Sequence, residues 1–197
     1  MSERPIILDV GGGSGEWSRP YRLAGYDVRV IDPTTWPFFT AESYANELRD
    51  FGRGVRGVLL APPCTEFAGS GARWWKEKAE KEPWKLESAV ATVRAFLSIV
   101  ALVKPEWWAL ENPSGRLWRV VPELGMFRYS WQPWEYGTPE TKRTCMWGEH
   151  VRPPRTVRER PEIIEARVHR MAPSPDRARK RSITPAGFAQ AFFEANP

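Results

Sequence analysis

Short apolar runs alternate along this chain with stretches whose apolar residues recur at helical spacing. "PIILDV" (residues 5–10) is β-branched, apolar and ends in glycines, and "YDVRVIDP" (26–33) is a second such run ending in an acid and a proline. Between them "SGEWSRPYRLAG" (14–25) predicts a helix closed by Gly25. "FTAESYANELRDFG" (39–52) predicts a second helix or helix-loop, and "VRGVLLAPP" (55–63) a third strand. "LESAVATVRAFLSIVALVK" (86–104) has apolar residues every three or four positions and stops at Lys104-Pro105. "EWWALENP" (106–113) predicts a fourth strand, and "FRYSWQPWEYG" (127–137) and "TCMWG" (144–148) two more. "TPAGFAQAFFEAN" (184–196) predicts a closing helix, with Thr184 as N-cap and Pro185 at its first position. The alternation predicts an α/β fold, a mostly parallel sheet with helices on both faces, and no internal repeat interrupts it.

The chain's 197 residues suit one domain, 1–197, with a sizeable core. Two cysteines, Cys64 and Cys145, are too few for a disulfide framework, and "MSERPIILDV" lacks the long apolar core of a leader. The longest apolar run, "AFLSIVALV", falls short of the roughly 18 residues that span a bilayer. A soluble chain in a reducing, intracellular setting, with no membrane partner, is the expectation. Eleven tryptophans are many for this length, and those in loops, as in "RWW", can stack on bases as well as fill a core. The net charge of +5 is uneven: residues 142–181 hold twelve Lys/Arg against five Asp/Glu, so the rest of the chain is slightly acidic. That segment suits either a phosphate backbone or a solvated, partly unstructured face, and charge alone does not choose.

In a parallel sheet the carboxyl ends of the strands carry the ligand site. After the first strand, "DVGGGSGEW" spaces Asp9, Gly11, Gly13 and Gly15 as Asp-x-Gly-x-Gly-x-Gly, and these residues with Trp17 just beyond are the candidate cofactor contacts. Glycines let backbone turn tightly and approach a nucleoside or phosphate closely. Asp32, ending the second strand, is placed to accept ribose hydroxyls. The order strand, glycines, helix, strand, acid points to a nucleoside cofactor. The spacing departs from the dinucleotide pattern Gly-x-Gly-x-x-Gly, which favours S-adenosylmethionine.

After the third strand comes "APPCTEFAGSG" (61–71) and after the fourth "ENPSG" (111–115), which puts Cys64 and Glu111 on the same sheet edge as the glycine loop. Carbon 5 of cytosine is too weak a nucleophile to take a methyl group from a sulfonium unaided. A thiolate added at carbon 6 makes it enamine-like, and a proton given to nitrogen 3 eases that addition. Cys64 and Glu111 fit those two roles, with Asn112 shaping the turn. A buried apolar thiol and an ion-paired acid are the plainer readings of each residue alone. His150 and His169 lack a second ligand at metal spacing, so no metal is expected. Ala61-Pro62-Pro63-Cys64 is not the Asp/Asn-Pro-Pro-aromatic motif of amino-group methylation.

These motifs and their order resemble the cytosine carbon-5 methyltransferases, in particular their small phage-type members, over most of residues 6–197. The resemblance implies a Rossmann-like S-adenosylmethionine-dependent fold, DNA as substrate and a cytoplasmic setting in an infected bacterial cell. It implies cofactor contacts from "LDVGGGSG", from Asp32, from Asn46 or Glu47 in "ANELRDF", and from Pro62. "APPCTEFAGSG" matches the proline-cysteine loop, and "ENPSG" the Glu-Asn-Val motif with Pro113 in place of valine. "YGTPETKRTCMWG" stands where the family has Tyr-Gly-x-Pro-Gln-x-Arg-x-Arg, with Glu140 for glutamine, Lys142 for the first arginine and Thr144 for the second. Arg143 is one place out of step. Either Lys142 or Arg143 is then expected to hold the base carbonyl or a phosphate. Pro63, Arg73 and Trp74 are expected at the substrate, the last two in the aromatic-rich loop "GARWWKEKAEKEPW", with Gly69 and Gly71 as hinges of a lid. "RSITPAGFAQAFFEAN" resembles the late Arg-x-x-Thr-Pro motif, giving Thr184 and Pro185 a structural part.

The larger family members carry a target-recognition domain between their last motif groups. Here residues 149–180 fill that place as a short basic, proline-rich insertion with one predicted helix, "RPEIIEARVHRM". Charge is easier to supply from it than base readout. The expected partner is therefore duplex or single-stranded DNA with little sequence selectivity. A selectivity partner or a homodimer, a free cytosine nucleotide or RNA as substrate, and a non-catalytic binding module are the alternatives.

Overall fold

The computed structural model describes residues 4–32, 54–164 and 177–197. Its strands are β1 (Ile6–Val10), β2 (Asp27–Ile31), β3 (Val55–Leu60), β4 (Trp107–Pro113), β5 (Tyr129–Trp131) and β6 (Thr144–Trp147). Its α-helices are α1 (Arg19–Leu23), α2 (Trp75–Lys81), α3 (Pro83–Val103), α4 (Leu117–Val120), α5 (Arg177–Ser182) and α6 (Ala186–Ala195). The strands form one sheet of order β2-β1-β3-β4-β6-β5.

The sheet is mixed, which corrects the expectation of a mostly parallel one. β1 pairs in parallel with β2 and β3, and β3 with β4, whereas β6 lies antiparallel between β4 and β5. The chain leaves β4, makes β5 at the sheet edge in the same sense as β4, and returns through residues 132–143 to place β6 between them, so β6 runs against both neighbours.

Alternation within the strands splits the core in two. Leu8, Val10, Val58, Leu60 and Leu110 meet Val93, Phe96, Ile99 and Val103 of α3 on one face. Ile7, Leu59, Ala109 and Met146 meet Tyr21 of α1 and Phe188, Ala189 and Phe192 of α6 on the other. Helices thus cover both faces. α1 connects β1 to β2 on one side and α3 connects β3 to β4 on the other, so the winding changes side between β1 and β3, where such sheets open a ligand crevice.

Several elements differ from the sequence reading. α1 is shorter than 14–25, because residues 13–18 are turns and the helix starts beside Pro20; Gly25 follows it at φ +89°. α3 begins at Pro83 and ends at Lys104 in the left-handed region. With 21 residues and a window of mean hydropathy 1.8 it is long and apolar enough to cross a membrane. Its stripe of Val93, Phe96, Ile99 and Val103 is nevertheless buried on the sheet, as in a core helix. α6 is capped by Pro185 with no side-chain bond, so Thr184 is not its N-cap. The segment expected as a loop, 65–85, contains a 3-10 helix, Gly69–Trp74, followed by α2. The predicted element at 39–52, with Asn46 and Glu47, lies outside the described residues.

The described part of the basic insertion is strapped to the domain rather than solvated along its length. Val151 N–H donates to Asn196 Oδ1 (2.7 Å) and Asn196 Nδ2 donates back to Val151 O (3.0 Å). Thr156 and Val157 N–H both donate to Glu135 O, and Arg155 pairs with the buried Glu135 carboxylate at 2.8 Å. Residues 160–164 hold no helix.

Candidate active site

The glycine loop turns because three of its residues adopt backbone forbidden to most side chains: Gly11, Gly13 and Gly15 have φ of +72°, +50° and +68°. At Gly11 space is also short. A β-carbon there would stand 2.6 Å from the Ala61 carbonyl oxygen. That close approach, with the bond from Ala61 N–H to Val10 O (2.9 Å), joins the glycine loop to the Cys64 loop. Asp32, buried at the end of β2, accepts the Gly13 N–H at 2.9 Å through Oδ2. Asp9 lies beneath the loop, fully buried, and accepts the Ser18 hydroxyl. Burial pushes its carboxyl up to about 6, against the pull of Ser18 and Arg22. A turned backbone with an acid at its rim suits a nucleoside bearing free ribose hydroxyls, as S-adenosylmethionine does. Asp9 itself braces the loop from below. Trp17 is packed in the core, its ring 5.4 Å from Phe192 and 6.3 Å from Phe188, and so braces the loop instead of reaching a cofactor.

The Cys64 loop and the turn after β4 are laced together. Phe67 and Ala68 N–H donate to Cys64 O at 3.0 and 2.9 Å, Gly69 N–H to Ser114 O at 2.8 Å, and Arg116 N–H to Phe67 O at 2.9 Å. Asn112, buried beside them, donates from Nδ2 to Pro62 O at 3.0 Å. Pro62 is buried and Pro63 exposed. Because Gly69 is held by Ser114 and has ordinary φ, it is a fixed joint and not the free hinge expected from the sequence.

Within this frame Cys64, Glu111 and Lys142 come together. Burial raises the Cys64 thiol, the Glu111 carboxylate raises it further, and Lys142 and Arg181 draw it down. Burial also raises Glu111, against Lys142. Glu111 Oε2 is buried with no hydrogen-bond partner among the described residues. Register explains the meeting: Glu111 pairs with Met146 and Pro113 with Thr144, while Ser114 N–H donates to Arg143 O, so the residues before β6 run beside the β4 turn. The two basic candidates diverge there. Lys142 acts on both Cys64 and Glu111, whereas exposed Arg143 donates from Nε to Ser130 Oγ at 3.1 Å, toward β5. Arg181, read from the sequence only as part of "RSITP", is an addition to the site. Its place as the arginine that opens that motif was its one visible signal. Arg73 and Trp74 stand exposed on the 3-10 helix that follows the Cys64 loop. No group of His, Cys, Asp and Glu among the described residues is arranged to hold a metal ion.

No protein-family model and no curated protein matches the chain. Among solved structures it is similar to a DNA modification methyltransferase encoded within an E. coli prophage, at 15% identity over 74% of this chain, with a TM-score of 0.48. It is also similar to the Entamoeba histolytica methyltransferase EhMeth, at 9% identity over 88% of this chain, with a TM-score of 0.46. The chain spans 46% and 61% of the lengths of those two proteins.

Proposed function

We propose that this chain is a DNA cytosine-5 methyltransferase that uses S-adenosylmethionine and a covalent cysteine adduct. The observation that carries the reading is the buried Glu111 Oε2, without a hydrogen-bond partner among the described residues, in electrostatic reach of the Cys64 thiol on the sheet edge that carries the glycine loop. A buried carboxyl without a partner favours its neutral, protonated form. In that form Glu111 has a proton to give to nitrogen 3 of cytosine and no longer opposes ionisation of Cys64. Lys142 and Arg181 favour the thiolate.

The steps follow from those states. The Cys64 thiolate forms a bond to carbon 6 while Glu111 protonates nitrogen 3, which leaves carbon 5 electron-rich. S-adenosylmethionine held by the glycine loop and Asp32 would supply an electrophilic methyl group. Loss of the carbon-5 proton to solvent water then expels Cys64 as thiolate, and nitrogen 3 returns its proton to Glu111. Asn112 keeps the Cys64 loop seated through Pro62 O.

Incubation with labelled S-adenosylmethionine and DNA is the direct test. Wild type transfers label to cytosine carbon 5, Cys64→Ala transfers none, and Glu111→Gln loses roughly 10²–10⁴-fold in rate. DNA carrying 5-fluorocytosine, which has no carbon-5 proton to lose, traps a covalent complex with wild type and none with Cys64→Ala. Absence of both transfer and trapping on any DNA overturns the reading.

A further inference from the structure

The segment after the Cys64 loop holds an exposed indole at a fixed place. Trp74 is 49% exposed, and the Arg73 guanidinium lies over its ring, 5.0 Å from the centroid. The 3-10 helix that carries both is anchored at its start, where Gly69 N–H donates to Ser114 O at 2.8 Å. Trp74 is five residues further, so it stands about 10 Å along the helix from that bond. The other end is anchored too. Lys78 of α2 pairs with the buried Glu66 at 2.6 Å. Arg116, which donates from Nε to Glu66 O, covers the Trp75 ring at 4.4 Å. Both anchors are in the loops that carry Cys64 and follow Glu111.

Charge on this segment is sorted. Lys78, Lys81 and Lys85 are each paired with a glutamate, whereas Arg73, Lys76 and Glu80 have no ion pair among the described residues. What the segment after the Cys64 loop presents is therefore an aromatic face with Arg73 over it and Lys76 two residues on, while Lys142 and Arg181 act on the thiol itself. An indole takes up a base through the base's flat face. In a duplex both faces of every internal base are already stacked, so only an unpaired base has a face to offer.

We propose that Arg73 and Trp74 form a preorganised stacking platform for the unpaired base beside the target cytosine, and that the preferred substrate is single-stranded DNA. The proposal rests on the cytosine-methylating reading above and names the form of nucleic acid that site takes. Stacking on Trp74 positions the strand, Arg73 and Lys76 meet its phosphates, and the target base reaches Cys64 without the unstacking that a duplex demands.

The test measures binding of a short fluorescein-labelled DNA strand, and of the same strand annealed to its complement, to the full-length Cys64→Ala chain without methyl donor. The single strand binds at least about tenfold tighter than the duplex, and adding Trp74→Ala weakens single-strand binding roughly 5- to 150-fold. Trp74→Phe, which keeps an aromatic face, retains most of the affinity. Duplex bound as tightly as single strand, or Trp74→Ala without effect, overturns the platform. Since thiol and donor are absent, this outcome is separate from catalysis. If wild type methylates DNA while Trp74 is indifferent, the platform falls alone; if strand binding depends on Trp74 but no methyl is transferred, the assigned reaction falls and the platform stands.

Discussion

Lys142 stands between two groups that it pulls the same way on the pH scale. Its charge favours the Cys64 thiolate and equally the Glu111 carboxylate, although the proposed reaction wants the first ionised and the second protonated. Replacing it by an uncharged side chain of similar length lets both groups rise. Lys142→Met is therefore expected to move both limbs of the pH-rate profile of methyl transfer toward alkaline pH, whereas Lys142→Arg keeps them in place. Movement of one limb only means that Lys142 serves one group and not the other. At this scale the sequence was informative about residue types and silent about side-chain direction. Cys64, Glu111 and Asp32 were legible because each lies near or just past the carboxyl end of a strand on the same sheet edge. The choice between Lys142 and Arg143 was not, since adjacent residues of a strand approach point to opposite sides and only the β4–β6 register says which side is inward.

The two loops that build the site depend on one residue without a side chain. A β-carbon on Gly115 would stand 1.9 Å from Phe67 O and 2.8 Å from Gly69 N, in the middle of the bridge between Ala68 and Gly115. Gly115→Ala must part the loops. The expected cost is about 2–3 kcal/mol in urea unfolding, with methyl transfer falling far more than the stability loss explains, because Cys64 and Glu111 separate. A variant with wild-type transfer would show that the lacing does not position the pair. Most elements were legible from apolar periodicity: β1–β4, α3, β6 and α6 fall where the runs fall. α2 was not, because "WKEKAEK" has no apolar face to reveal a helix. It is held instead by Glu66, twelve residues back, and by Arg116 after β4, through contacts that periodicity does not encode.

Across the whole molecule two buried groups give opposite pH dependence. Asp9 is held up at about 6 against an ordinary 3.8, so its stability contribution is full below pH 4 and lost as pH rises through 6, about 3 kcal/mol in all. His150 accepts from the Tyr129 hydroxyl at Nε2, with its Nδ1–H turned to Trp108 O. Burial holds it down at about 4 against 6.5. Its contribution is full above pH 6.5 and lost as pH falls through 4, again about 3 kcal/mol. The two nearly cancel in the same window. Asp9→Asn is expected to be about 3 kcal/mol more stable than wild type at pH 7 and equal to it at pH 4, measured by urea unfolding; an equal gain at both pH values sinks the linkage. The sheet's mixed direction was not readable from the chain, since a short apolar run such as "TCMW" looks the same in either orientation. That reversed strand has a consequence for how the chain assembles. Among the described strands β6 is the last made and the one that joins β5 to the rest, so until residues 144–147 emerge from the ribosome β4 is an open edge and β5 lacks its neighbour in the sheet. The hydrophobic edge of β4, "WWALENP", is thus the segment most open to mispairing during synthesis. The step that seals it also fixes Lys142 against Glu111, so closure of the sheet and completion of the site are one late folding event.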